Sequence, residues 1–133
     1  MKKYLLDTNI CIYFLKGQFE INRRIEEIGE ENCYLSEITI AELKYGAESS
    51  IQKEKNRKNN EKFLAKFKIL PVFPALDIYA KEKAKLKTIG RIVDDFDLLI
   101  GATAIHNNLT LVTRNVKDFV RLNEIVIEDW TTD

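Results

Sequence analysis

Apolar residues recur along this chain in two rhythms. Short runs, Tyr4-Leu5-Leu6, Cys33-Tyr34-Leu35, Leu109-Thr110-Leu111-Val112 and Ile125-Val126-Ile127, have the length and make-up of buried strands. Between them the spacing turns helical. Ile10, Tyr13 and Phe14 mark a helix over 9–16 that Gly17 stops, and Ile21, Ile25 and Ile28 form one stripe that Gly29 ends. The second strand is expected over 33–38, followed by a helix from Thr39 to about Ser49. Residues 53–68 read as a basic helix with Phe63, Leu64 and Phe67 inward. Residues 69–74 are extended, and Pro71 and Pro74 place them near a sheet edge or strand end. A helix over 77–88 breaks at Gly90. The next, 95–107, is apolar nearly all round and so belongs at the centre. A short helix over 115–120 precedes the last strand. Strands alternating with helices imply an α/β fold, with a mainly parallel central sheet covered on both faces.

Length adds that 133 residues suit a single domain, 1–133, able to bury a core without staples. No apolar run approaches the roughly 20 residues that span a bilayer. The basic start Met1-Lys2-Lys3 meets Asp7 too early for a signal peptide, so a cytoplasmic protein is expected. Cys11 and Cys33 are too few for a disulfide framework and read as small buried hydrophobes. The lone His106 suits a helix C-terminus and excludes two-histidine acid–base chemistry. No serine has a plausible histidine base beside it.

Net charge is zero but unevenly spread. Residues 53–91 hold 12 Lys/Arg against 4 Asp/Glu, a balance of +8. The remainder holds 9 against 17, a balance of −8. A basic middle of this kind is either a solvated set of helix faces or a nucleic-acid surface.

Four carboxylates fall where strands give way to helices or where a buried helix opens: Asp7, Glu42, Asp97 and Asp118. Such positions gather at the carboxyl edge of an α/β sheet, where ligands bind. Singly, each has a structural explanation. Asp7 caps the next helix, Thr39-Ile40-Ala41-Glu42 reads as a capping box, Asn115 to Asp118 as a similar cap, and Asp97 suits a first helical turn. Jointly they are harder to explain, because two carboxylates about 4 Å apart repel by roughly 4 kcal/mol at an effective dielectric of 20. Arg114 is a candidate counter-charge for Asp118. All-oxygen ligands without sulfur or imidazole select Mg²⁺, with Mn²⁺ as the alternative.

The motifs carry a resemblance. Asp7-Thr8-Asn9 after a first strand, the stretch from Ser36 to Gly46 with Glu42, Asp95-Phe96-Asp97-Leu98-Leu99-Ile100-Gly101-Ala102, and Leu111 to Phe119 with Asp118 resemble, in order, the four motifs of PIN-domain ribonucleases. The match runs along the whole chain and looks most like the VapC toxins of bacterial toxin–antitoxin pairs. It implies a PIN-like α/β/α sandwich and a metal-dependent endoribonuclease. It also implies an RNA substrate, a cognate VapB-like antitoxin lying over the site, and a homodimer. Gly101 stands where many relatives have alanine. Asp94 and Asp95 either add negative charge near the metal or serve as helix N-terminal acids, the second being favoured.

On this reading Asp7 and Asp97 are the principal metal ligands, with Asp118 and Glu42 as further or water-mediated ligands. Thr8, Asn9, Thr113 and Asn115 either orient them or cap helices. Lys53, Lys55, Arg57, Lys58, Lys85 and Lys87 would steer RNA. Two alternatives remain: a non-catalytic binding module on the same fold, and a haloacid-dehalogenase-like phosphatase. The latter wants a second aspartate where Asn9 stands.

Overall fold

A computed structural model describes residues 2–132. Five strands, β1 (Tyr4–Leu6), β2 (Cys33–Ser36), β3 (Lys68–Leu70), β4 (Thr110–Val112) and β5 (Val126–Glu128), pair in the order β3-β2-β1-β4-β5. Every pairing is parallel, with Leu5 opposite Tyr34 on one side and Leu111 on the other. The expected parallel sheet is thus observed. Proline-terminated β3 lies at an edge, as Pro71 implied.

Side chains alternate across the pleat and so divide the core in two. Tyr4, Leu6, Cys33, Leu35 and Val112 face α1 (Thr8–Leu15), α2 (Ile21–Ile28) and α4 (Lys53–Leu64), through Ile10, Ile25 and Phe63. Leu5, Leu111 and Tyr34 face α5 (Leu76–Thr88), α6 (Asp95–His106) and α7 (Val116–Phe119), through Leu86, Ile100 and Phe119. The result is an α/β/α sandwich. Helix α6 buries Leu98 and 100–104, as its all-round apolarity required. Cys11 and Cys33 are buried and unbonded.

Residues 73 and 74, expected to be extended, open a 3-10 turn (Phe73–Ala75) that leads into α5, and two boundaries move by two residues or more. Strand β2 stops at Ser36, and α3 (Glu37–Glu48) starts at once, because the Ser36 hydroxyl accepts the Ile38 amide N–H at 3.0 Å. Helix α4 closes at Leu64 rather than 68, since Lys68, Ile69 and Leu70 pair with β2. Phe67 keeps its place in the core through a turn, stacked 4.9 Å from Phe63.

The strand order reverses at β1: β2 and β3 lie to one side, β4 and β5 to the other. A crevice opens at such a reversal, at the carboxyl ends of the strands. Helices that cover a parallel sheet run against it, so α1, α3, α6 and α7 all start at that edge. Their N-termini bring partial positive charge there.

Candidate active site

Asp7 is where β1 becomes α1. Its extended backbone (φ −64°, ψ 156°) and a carboxylate that accepts the Thr8 amide N–H at 2.8 Å make it the helix cap that the sequence suggested. Its other oxygen accepts the Thr113 hydroxyl at 2.8 Å, from the far side of the crevice beyond β4. Asp7 is buried. Burial pushes its carboxyl above the usual range, the Thr113 and Thr8 hydrogen bonds pull the other way, and Glu42 adds upward repulsion.

Glu42 is not part of a capping box. With Ser36 as the cap, Thr39 lies inside α3, buried, and its hydroxyl sits 3.0 Å from that of Thr8. Thr8 donates its only hydroxyl proton to Glu42 at 2.6 Å, so Thr39 must be the donor to Thr8. The carboxylate assigned to local helix chemistry is therefore held by a residue 34 positions away.

Asp118 also departs from the cap expected of it. The Asn115 amide N–H goes to the Thr113 hydroxyl at 2.9 Å, while the Asn115 side chain donates to Asp118 at 3.1 Å. One chain of hydrogen bonds thus runs from Asp118 through Asn115 and Thr113 to Asp7, then through Thr8 to Glu42. Of the four supporting polar residues read from sequence, Thr8, Thr113 and Asn115 join it. Asn9 is exposed and contacts none of the acids among the described residues.

Asp97 stands in the first turn of α6. Among the described residues no donor lies within hydrogen-bond reach of its carboxylate. Burial, then repulsion from Asp7, Asp94, Glu42 and Asp118, raises it to about 6. Asp7, Glu42 and Asp118 thus all lie near enough to Asp97 to oppose its ionisation. Asp94 caps α6 through the Phe96 N–H and also adds its charge beside Asp97, whereas Asp95 is tied to Lys83 and Tyr79 of α5. Arg114 does not neutralise Asp118: its guanidinium turns to Tyr13 and Phe19.

A family model described as the PIN domain matches residues 4–125. This chain belongs to the PIN-domain family. It is 36% identical over 130 residues to a protein called ribonuclease VapC2 from Rickettsia felis, covering 96% of this chain and 97% of that one. It is 34% identical over 131 residues to the tRNA(fMet)-specific endonuclease VapC of Salmonella typhimurium, covering 98% and 99%. Among solved structures, the DNA-bound VapBC of Salmonella typhimurium superposes with a TM-score of 0.91 at 34% identity, covering 98% of this chain and 99% of that one. Within the PIN domains the chain is thus of the VapC ribonuclease type.

PIN-domain nucleases work with a divalent metal, and the donor set here fits one. It is all carboxylate, faces no Lys or Arg partner among the described residues, and its mutual repulsion adds to burial in raising Asp97. Among the described residues no three His, Cys, Asp or Glu side chains are grouped, as they stand, so as to hold a metal ion. The set is an open one, with Glu42 and Asp118 still held by Thr8 and Asn115.

Of the lysines and arginines expected to meet RNA, Arg57 is tied to Glu48 and Glu54, and Lys85 to Glu82 and the Arg121 carbonyl. Lys53, Lys55, Lys58 and Lys87 are exposed. The part of α4 nearest Glu42 is neutral: Asn56, Asn59 and Asn60 line a cleft of about 450 Å³ with Ile12, Leu15 and Glu42. Sequence reading missed Thr39, hidden behind its false capping box, and the aromatic pair Tyr13–Phe19 that holds Arg114. Phe63 and Phe67 prove to be core, while Tyr45 is 74% exposed. No helix is long and apolar enough to cross a membrane among the described residues.

Proposed function

We propose that residues 1–133 form one catalytic unit, an endoribonuclease that hydrolyses RNA phosphodiester bonds, kept inactive by a VapB-like antitoxin. The observation that carries this is the four-carboxylate crevice, three of whose acids are joined by one hydrogen-bond chain. Asp7 and Asp97 hold the metal ion, with Asp118 and Glu42 as further or water-mediated ligands. Mg²⁺ is favoured over Mn²⁺ because it accepts carboxylates while keeping waters. When bound, it offsets charge developing on the phosphoryl oxygens and lowers the pKa of bound water.

The chain's own groups do the rest. The Thr8 hydroxyl fixes one oxygen of Glu42 and leaves the other turned to the crevice, while the Thr8 amide N–H and the Thr113 hydroxyl together orient both oxygens of Asp7. A carboxylate outside the metal's immediate ligands accepts the proton of the attacking water as the phosphorus–oxygen bond to the leaving nucleotide breaks. The positive ends of α1, α3, α6 and α7 favour an anionic substrate at the same edge. A name among the relatives, tRNA(fMet)-specific endonuclease, points to structured RNA as the substrate class. VapBC assemblies among the structural relatives support the antitoxin partner. A basic antitoxin side chain would supply the counter-charge that the crevice lacks. Pairing with a second copy, as the family commonly does, is part of the same reading.

Asp7→Asn and Asp97→Asn are expected to abolish divalent-metal-dependent cleavage of tRNA by the purified protein while leaving its circular dichroism spectrum unchanged. Cleavage retained in either folded variant would overturn the reading. Running RNA, DNA and a small phosphate ester side by side separates the alternatives. Ester hydrolysis through a phospho-enzyme indicates a phosphatase, and no turnover indicates a binding module.

A further inference from the structure

Between α1 and α2 the chain makes a turn with an uncommon backbone. Phe19 (φ 58°) and Glu20 (φ 54°) are consecutive non-glycine residues in the left-handed region. That conformation is costly for a bulky residue and persists where surrounding structure demands it. Its effect is to hold an aromatic ring in solvent: Phe19 is 43% exposed. Tyr13 packs edge-on against that ring at 4.8 Å. The Arg114 guanidinium lies 5.3 Å from the Phe19 centroid and 6.0 Å from that of Tyr13, and donates a 3.4 Å hydrogen bond to the Tyr13 hydroxyl.

Arg114 has a telling position. Its neighbours in the chain are Thr113, which bonds Asp7, and Asn115, which bonds Asp118. An exposed arginine beside an excess of carboxylates would be expected to pair with one. Among the described residues it forms no ion pair, and the aromatic bracket holds it to one side. On its other flank Phe19 lines a cleft of about 270 Å³ with Glu20, Arg23, Arg24, Glu27 and Trp130, where Arg23 pairs with Glu20 and Glu27 and Arg24 is, among the described residues, outside any ion pair. There the Arg24 guanidinium lies 5.5 Å from the Trp130 ring. Phe19 thus forms one arginine–aromatic contact, with Arg114, and shares a cleft with a second whose Trp130 ring is buried.

An exposed aromatic ring beside planar cations suits single-stranded nucleic acid: the ring accepts a base of any identity, and guanidinium groups take phosphates. We propose that Phe19, Arg114 and the adjoining Arg24–Trp130 cleft form the track that receives the unpaired part of the RNA substrate beside the carboxylates. Arg114 holds a phosphate next to the scissile one, and Phe19 stacks a base. This rests on the ribonuclease reading above. It moves substrate positioning from the lysines of α4 to the turn after α1.

The test uses the full-length protein and a tRNA pool. In an Asp97→Asn background, which separates binding from cleavage, Arg114→Ala is expected to weaken tRNA binding about tenfold and lower the salt slope of log K by about one. Arg114→Lys should restore the slope but only part of the affinity. Phe19→Asn suits the left-handed backbone while removing the ring, and should weaken binding roughly five- to tenfold without changing the slope. In the active protein the same changes should raise KM and leave kcat within about twofold. If wild type cuts tRNA and Asp97→Asn does not, yet these variants leave KM and affinity unchanged, the track is overturned while the ribonuclease reading stands. If they alter only self-association by sedimentation, the surface is a contact between copies and the proposal fails. If Asp97→Asn still cuts, the acidic crevice is the error, and the binding arm still decides the track.

Discussion

Asp97 is the most informative single residue. Its carboxyl is raised to about 6 by burial and by four neighbouring acids, so in metal-free protein ionising it opposes folding. The contribution is present in full below the unfolded value near 4 and is lost as pH rises through about 6. Asp97→Asn removes that penalty. In chelator at pH 8 the variant should be more stable than wild type by about 1 kcal/mol, a figure discounted because the group is half exposed. The advantage should vanish below pH 4, and urea melts at both pH values check it. Thr113→Val probes the opposite case. It keeps the side chain's shape but removes the donor to buried Asp7 and the acceptor for Asn115. A loss of about 1–3 kcal/mol is expected. The Asp7 carboxyl should rise further, moving the acid limb of the cleavage profile to higher pH. The four acids were legible in the sequence because their residue types and order are distinctive. Thr39 and the true partner of Arg114 were not, because a hydroxyl or guanidinium can satisfy itself locally or across the fold, and only the fold decides.

At the scale of elements, the site depends on how closely α7 lies against α6. Gly101 makes that approach possible: a Cβ there would come within 2.5 Å of Leu122 Cδ1 and 3.3 Å of the Phe119 ring. From sequence its glycine appears only as a helix-propensity cost. The structure gives it a packing role. Gly101→Ala should gain about 1 kcal/mol in propensity and lose about 1–3 through overpacking. The net expectation is a destabilisation of about 1 kcal/mol by thermal melt. Cleavage should fall as well, because Phe119 is adjacent to Asp118. Element types were readable along most of the chain, since apolar period separates helix from strand; Phe73–Ala75, a 3-10 turn read as extended, is an exception. Boundaries failed where capping chemistry was ambiguous. Both Ser36 and Thr39 can cap a helix, and the choice turns on which hydroxyl meets an amide N–H and which meets Thr8. Likewise Phe67 satisfies a helical period and a turn equally, and the pairing of Lys68 with Tyr34 settles it.

For the whole molecule, charge is segregated by sequence but partly reconciled by folding, through ion pairs such as Lys83–Asp95 and Lys66–Glu30. The exposed Lys53, Lys55 and Lys58 remain as a diffuse attraction for RNA. Replacing all three with glutamine should raise KM for tRNA several-fold at low salt, and the difference should fade toward 0.3 M salt as screening shortens to a few ångströms. A loss of turnover at saturating substrate would instead place α4 within the catalytic geometry.

The Thr113–Asp7 hydrogen bond spans 106 residues and joins the first strand to the fourth. A ribosome adds about 5–20 residues per second and releases the N-terminus first. Asp7 therefore emerges early but stays without Thr113, Asn115 and Asp118 until nearly the whole chain has been made. Order of synthesis acts as a delay: a nascent copy cannot assemble its crevice beside the RNA that is producing it.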